Sequence, residues 1–97
     1  MENKAQIEFK LKALMPVLIA RFNIKRIGIF GSFASDLATP NSDIDILVDF
    51  EKTPGWEYFD LMEFLENELG RKIDLVTPNA LKSPLKNKIL KQVEYLV

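Results

Sequence analysis

The chain has 97 residues and a formal net charge of −1, with 47% hydrophobic and 28% charged residues. These values predict a single folded domain over residues 1–97 and exclude a largely disordered chain. The sequence contains neither cysteine nor histidine, which excludes disulfides, thiol catalysis, serine–histidine triads and histidine-bound zinc. Carboxylates, hydroxyls, lysines and oxygen-bound metal ions are left to supply any chemistry.

The charges are unevenly distributed along the chain. Residues 1–30 and residues 71–97 each carry a net charge of +4, whereas residues 43–68 carry −8. This pattern predicts an acidic site beside basic surface rather than a general polyanion-binding protein, so we expect neither nucleic acid nor a membrane as partner. The first ten residues carry charges where a signal peptide needs an apolar core. We therefore expect a cytoplasmic protein.

The first predicted element is a helix. Its apolar residues recur at intervals of three and four, as one face of a helix requires: Ile7, Leu11, Leu14, Leu18 and Phe22. Pro16 lies within this segment and disfavours helical geometry at Met15, so we predict a kink or two short helices. An apolar run from Arg26 to Gly31 then predicts a short buried strand.

The middle of the chain predicts a helix, a turn, a strand and a second long helix. We expect a short helix over residues 32–37, a turn over residues 38–41 and a second strand from Ser42 to about Phe50. Thr53-Pro54 is typical of a helix start and Gly70 of a helix end. The apolar face of this helix is predicted to consist of Trp56, Phe59, Met62 or Leu61, Phe64, Leu65 and Leu69. Its opposite, acidic face is predicted to be solvated.

The last part of the chain predicts a third strand and a final helix. The strand is Lys72–Thr77, and Pro78 ends it. Ser83-Pro84 begins a helix whose apolar face is Leu85, Ile89, Val93 and Leu96, frayed or extended at its end. A strand, a long helix and a strand in succession predict a right-handed parallel crossover. The predicted fold is α/β (α+β), with a small sheet of about three strands packed by helices.

Gly31-Ser32 is the first candidate binding element. Glycine lets a ligand approach the backbone closely, and a helix start offers unpaired N–H groups, which together suit a phosphate. A plain turn is the more common meaning of such a pair.

Asp43 and Asp45 form the second candidate element. Alternate residues of a strand share a face, so these two carboxylates are predicted to lie together, opposite Ile44, Ile46 and Val48. Adjacent carboxylates repel each other unless a cation lies between them, and a divalent metal is the simplest such cation. An exposed strand end is the alternative, and calcium binding is less well supported because the longer ligand run of a calcium loop is missing.

Asp74 is the third candidate, a single acid within an apolar strand. If that strand neighbours the second, Asp74 is able to share the face of Asp45. An edge-strand charge, or a partner for Arg71 or Arg26, is the structural alternative. Three carboxylates beside a phosphate pocket suit Mg²⁺-dependent nucleotidyl transfer, in which metal ions stabilise charge on the leaving pyrophosphate.

These residues carry a resemblance to a known family. Gly31-Ser32, ten residues and then Asp43-x-Asp45 match the signature of the polymerase-β-like nucleotidyltransferase superfamily. Residues 26–34, 42–48, 70–78 and 85–90 also resemble the minimal nucleotidyltransferase (MNT) domain group. The resemblance implies a mixed-sheet nucleotidyltransferase fold in which Gly31 and Ser32 hold the triphosphate of ATP. It implies that Asp43 and Asp45 bind Mg²⁺, with Asp74 as the third acid of the site, near the nucleophile.

The resemblance also implies a biological role. Members of the MNT group are often antitoxins that silence a HEPN-domain ribonuclease toxin by transferring AMP to a tyrosine hydroxyl, or by binding. Here Ser35-Asp36 replaces the Arg-Gly that is common in the group, which removes a cation near the triphosphate. This departure favours a rival interpretation, a non-catalytic antitoxin that blocks its partner by docking. Nucleotidyl transfer to a small molecule such as an aminoglycoside is a second rival, although no second domain is evident to hold one.

Overall fold

The computed structural model describes residues 3–31, 42–81 and 83–96. The elements in chain order are α1 (Lys4–Phe22), β1 (Ile24–Phe30), β2 (Ile44–Phe50), α2 (Glu57–Leu69), β3 (Ile73–Val76), a 3-10 turn (Pro78–Ala80), α3 (Ser83–Gln92) and β4 (Glu94–Tyr95). The helix predicted for residues 32–37 and the turn predicted for residues 38–41 lie outside the described residues. None of the helices described is long and apolar enough to cross a membrane.

The strands form one mixed sheet in the order β3-β2-β1-β4. β1 is antiparallel to both β2 and β4, whereas β2 and β3 are parallel. The parallel pair confirms the predicted crossover through α2, and the mixed α/β fold is confirmed with it. The sheet gains one strand over the three expected, because the two residues of β4 pair with the outer edge of β1.

Helix α1 is continuous from Lys4 to Phe22. Asn3 and Gln6 form a reciprocal capping box at its start, with bonds of 2.8 and 3.0 Å. Pro16 is exposed, so water can bond the carbonyl group that the missing N–H of proline leaves without a helical partner. The alternative of two short helices is therefore wrong.

Helix α2 begins at Glu57, not at Thr53-Pro54. Its buried stripe is Leu61, Leu65 and Leu69, so the predicted apolar face is wrong at its first turn. Phe59 precedes Leu61 by two residues, about 200° around the helix, and is 55% exposed, while Trp56 is 81% exposed. Gly70 ends the helix in the left-handed region with φ 64°, as predicted.

The end of the chain also differs from the prediction. Helix α3 ends at Gln92, and the following residues turn back to form β4. The N–H of Leu96 donates to the carbonyl oxygen of Ile27 at 2.9 Å, so the free edge of β1 captures a segment that was expected to continue the helix. Of the predicted apolar face, Ile89 is buried but Leu85 is 52% exposed.

The two faces of the sheet bury apolar clusters of different size. The larger cluster includes Ile44, Ile46, Ile73 and Leu75, and it packs against α1 and α2. The smaller cluster, on the opposite face, consists of Phe30, Leu47 and Ile89, the last from α3. Because side chains alternate along a strand, the smaller cluster shares its face with Asp45. This face carries the candidate site.

Candidate active site

Asp45 and Asp74 occupy paired positions on the neighbouring parallel strands β2 and β3. On each strand the acid is flanked by residues buried in the larger cluster, so both carboxylates project from the other face of the sheet. Asp45 is half-buried and Asp74 is exposed. Their side chains lie within hydrogen-bonding reach of each other. Strands β2 and β3 are neighbours, as predicted, and their pairing places these two acids together.

The surroundings of Asp45 favour its neutral form. Burial, followed by the charge of Asp74 and a hydrogen bond between the two side chains, raises the pKa of Asp45 from 3.8 to about 6, and the charge of Asp43 adds to the shift. A carboxyl group beside a second negative charge gives up its proton less readily. The pair is thus a concentrated negative charge at one edge of the sheet.

Asp43 lies just before β2 and is exposed. It acts on Asp45 through its charge. Within residues 3–31, 42–81 and 83–96, no three acidic side chains stand close enough together to hold a metal ion. Asp45 and Asp74 form a close pair, and Asp43 acts on Asp45 through its charge; the predicted role of the three acids as ligands of one metal ion stays a prediction.

Gly31 follows the last residue of β1 and lies directly against Asp45 of the acid pair. Phe30, the residue before it, is the strand partner of Asp45. Gly31 has φ 70°, and a Cβ atom built on it would lie 2.1 Å from Oδ2 of Asp45. A side chain here would be strained by the positive φ and would push the carboxylate of Asp45 aside, so this glycine allows close packing on a carboxylate as well as a turn. Ser32, Ser35 and Asp36 lie outside the described residues, and the predicted role of Ser32 stays a prediction.

Two neighbours of the site carried no clear signal in the sequence. The guanidinium of Arg71 donates to the carbonyl oxygen of Ser42 at 2.5 Å, at the residue before Asp43. The hydroxyl group of Tyr58 donates to the carbonyl oxygen of Leu75, and burial together with the charge of Asp74 raises the pKa of Tyr58. Only three-dimensional pairing of the strands brings these side chains to the site.

The chemistry of the donors fits a magnesium ion. Mg²⁺ is a hard cation that proteins usually hold through one or two carboxylates, with substrate phosphates and water completing its coordination. Asp45 and Asp74 supply such a pair, and the raised pKa of Asp45 reflects a charge that a divalent cation would neutralise.

Comparison with known protein families matches residues 11–96 to the nucleotidyltransferase domain. The chain belongs to this family. This chain resembles the protein adenylyltransferase MntA of Thermococcus cleftensis, with 41% identity over 92 residues that cover 94% of this chain and 93% of that protein. The family resemblance seen in the sequence is thereby confirmed.

Solved structures agree with this assignment. This chain superposes on a candidate minimal nucleotidyltransferase with a TM-score of 0.83 and 29% identity, covering 96% of this chain and 95% of that one. It also resembles a chain in the crystal structure of a toxin–antitoxin complex with AMP-PNP, with a TM-score of 0.77 and 27% identity, covering 93% and 72% of the two chains. The minimal nucleotidyltransferase fold is therefore shared over almost the whole domain.

Proposed function

We propose that this protein is an antitoxin that transfers AMP from ATP to a hydroxyl group of a partner toxin and so neutralises it. The proposal is supported by the 41% identity to a protein adenylyltransferase and by the likeness to a chain of a toxin–antitoxin complex that holds an ATP analogue. The partner we expect is a HEPN-domain ribonuclease, and tyrosine is the expected acceptor. Both expectations come from the resemblance to the MNT group.

One observation carries the proposal more than any other. Asp45 and Asp74 face each other across two parallel strands, and the backbone of Gly31 lies directly against Asp45. A triphosphate held at Gly31 would therefore lie beside the acid pair. Phosphoryl chemistry depends mainly on such placement and on charge stabilisation, since little covalent work is left to the protein.

Each element of the site has a defined task in this proposal. Gly31 and Ser32 would bind the triphosphate, and Asp45 and Asp74, joined by Asp43, would hold Mg²⁺, which would supply charge stabilisation when bound. The acceptor hydroxyl oxygen forms a bond to the α-phosphorus while the bond to pyrophosphate breaks. Asp74, on the exposed edge strand, accepts the hydroxyl proton.

The proposal is tested by incubating the purified protein and its partner with Mg²⁺ and ATP labelled at the α-phosphate. We expect label on the partner with the wild-type protein and none with Asp43→Ala. Asp49→Asn is the matched control, because Asp49 lies on the same strand as Asp45 but pairs with Arg26 at 3.3 Å. Label that persists in Asp43→Ala contradicts the proposed site.

The docking interpretation predicts a different result. A partner that is inhibited by the wild-type protein but never labelled would show that binding alone neutralises it. Neutralisation by Asp43→Ala at the same protein ratio would support the same conclusion.

A further inference from the structure

Arg71 connects the two strands that carry the acid pair. It lies three residues before Asp74, and its Nη2 donates to the carbonyl oxygen of Ser42 over 2.5 Å in a partly buried contact. Ser42 directly precedes Asp43. A side chain from the β3 side therefore holds the peptide group at which the acidic segment of β2 begins.

Two further bonds act beside this contact. The N–H of Ile44 donates to the carbonyl oxygen of Lys72 at 3.0 Å, so Asp43 has a tethered residue on each side. The N–H of Ile73 donates to the carboxylate of Glu66 on α2 at 3.2 Å. The starts of β2 and β3 are thus bonded to each other, and the start of β3 is also bonded to the helix that crosses between them.

Asp43 needs such a restraint more than Asp45 does. Asp43 is exposed and lies outside the strand, whereas Asp45 is half-buried within it. Neighbouring carboxylates repel each other, so without a restraint the start of β2 would move Asp43 away from Asp74. The bond from Arg71 opposes this movement by holding the residue before Asp43.

We propose that Arg71 is a positioning residue: by holding the carbonyl group of Ser42, it limits the distance of Asp43 from the Asp45–Asp74 pair, so that Asp43 can join the pair when a divalent cation binds. The inference rests on the proposed function, because it concerns the same site. Arginine suits the task better than lysine, since its planar guanidinium presents several N–H groups in fixed directions. Groups that orient metal ligands typically change metal affinity by about 10- to 100-fold when they are removed.

The test uses Mn²⁺ alone as the probe, with binding followed by electron paramagnetic resonance on the full chain. We expect Arg71→Met to weaken Mn²⁺ binding by about tenfold or more, and Arg71→Lys to lie between that variant and the wild type. Lys72→Met is the matched control, because it removes the same charge from an exposed neighbour but keeps the main-chain carbonyl that bonds Ile44. It should bind Mn²⁺ like the wild type.

Two readouts separate positioning from general stability. Hydrogen exchange at Ile44 should accelerate in Arg71→Met while exchange in α1 is unchanged. A high concentration of Mg²⁺ should restore much of the AMP transfer in this variant, which a folding defect would not allow. If Arg71→Met does not fold, the same measurements are made on Arg71→Lys and compared with the wild type.

Three results would overturn the inference. One is equal Mn²⁺ affinity in Arg71→Met and the wild type, and another is an equal loss in Lys72→Met. The third is a loss of ATP affinity with unchanged Mn²⁺ affinity, which would make Arg71 a phosphate ligand instead. A wild-type protein that neither binds Mn²⁺ nor transfers AMP refutes the proposed function, whereas faster exchange at Ile44 in Arg71→Met would still show that the restraint exists.

Discussion

Two aspartates on β2, four residues apart, lie in opposite electrostatic surroundings. Asp49 pairs with Arg26 at 3.3 Å, and the same guanidinium lies 4.7 Å from the ring centre of Tyr95. Asp45 faces Asp74, feels the charge of Asp43 and has its pKa raised to about 6. One end of the strand therefore carries an ordinary ion pair, while at the other end the charges that shift the pKa of Asp45, those of Asp74 and Asp43, are both negative. Such an arrangement costs stability and is typical of functional sites.

The largest expected effect concerns catalysis. Asp45→Asn should lower AMP transfer to the partner by roughly 10²- to 10³-fold, since it removes a ligand of the cation that would stabilise charge in the transition state. Asp49→Asn should remain within about twofold of the wild type, because surface ion pairs contribute little. Initial rates with labelled ATP make the comparison. Equal losses in the two variants would show that the two ends of β2 do not differ in function.

The second effect concerns the packing of Gly31 on Asp45. Gly31→Ala should lower the free energy of unfolding by about 3 kcal/mol, because the clash with Oδ2 of Asp45 adds to the strain of a positive φ. Gly70→Ala is the control, with φ 64° and nothing within 4 Å of the added carbon, and it should cost only about 1 kcal/mol. Urea denaturation measures both.

The same contact gives a coupling test. In an Asp45→Ala background, Gly31→Ala should cost about as much as Gly70→Ala, since the colliding oxygen is gone. If Gly31→Ala lowers the free energy of unfolding by the same amount in this background, the strain does not arise from the contact with Asp45.

The third effect is a dependence of stability on pH. Because the folded state binds the proton of Asp45 more tightly than the unfolded state, the free energy of unfolding falls as the pH rises from about 4 through about 6. Asp45→Asn removes this loss. Without divalent cations at pH 8 it should stabilise the protein by about 1 kcal/mol, a figure reduced for the solvent exposure of the site, and by almost nothing at pH 4. Thermal denaturation of Asp45→Asn that shows no gain at pH 8 would contradict this account.

The smallest effect belongs to the opposite end of the strand. Arg26→Gln should lower the free energy of unfolding by about 1 kcal/mol or less, and the difference should shrink as salt is added. Denaturation at two salt concentrations checks it. A larger loss would mean that the Asp49 end also carries structural strain.

Much of the site follows from local patterns in the sequence. The alternation of acids and apolar residues in β2 and β3 predicts which side chains share a face, because the period of a strand is two. The parallel neighbours follow from the strand–helix–strand order. The sequence therefore predicts that Asp74 can share the face of Asp45 if the two strands are neighbours, whereas the register that pairs the two acids is seen only in the structure.

Other features depend on contacts between distant residues. The collision that forbids a side chain at Gly31 arises only from the antiparallel pairing of Phe30 with Asp45. β4 was not predicted because Val93 and Leu96, the residues on either side of it, continue the helical period of α3, and pairing with the free edge of β1 outweighs that local preference. The start of α2 was placed too early because Pro54 imitates a helix start, whereas the buried leucine stripe determines the orientation of the helix.

The claim on which the account depends is that Asp45 helps to hold the metal ion that accompanies ATP. Calorimetric titration of the ATP analogue AMP-PNP in the presence of Mg²⁺ tests it with three proteins: wild type, Asp45→Asn and Asp49→Asn. We predict equal affinities for the wild type and Asp49→Asn, and an affinity lower by about tenfold or more for Asp45→Asn. An unchanged affinity in Asp45→Asn would contradict the assignment.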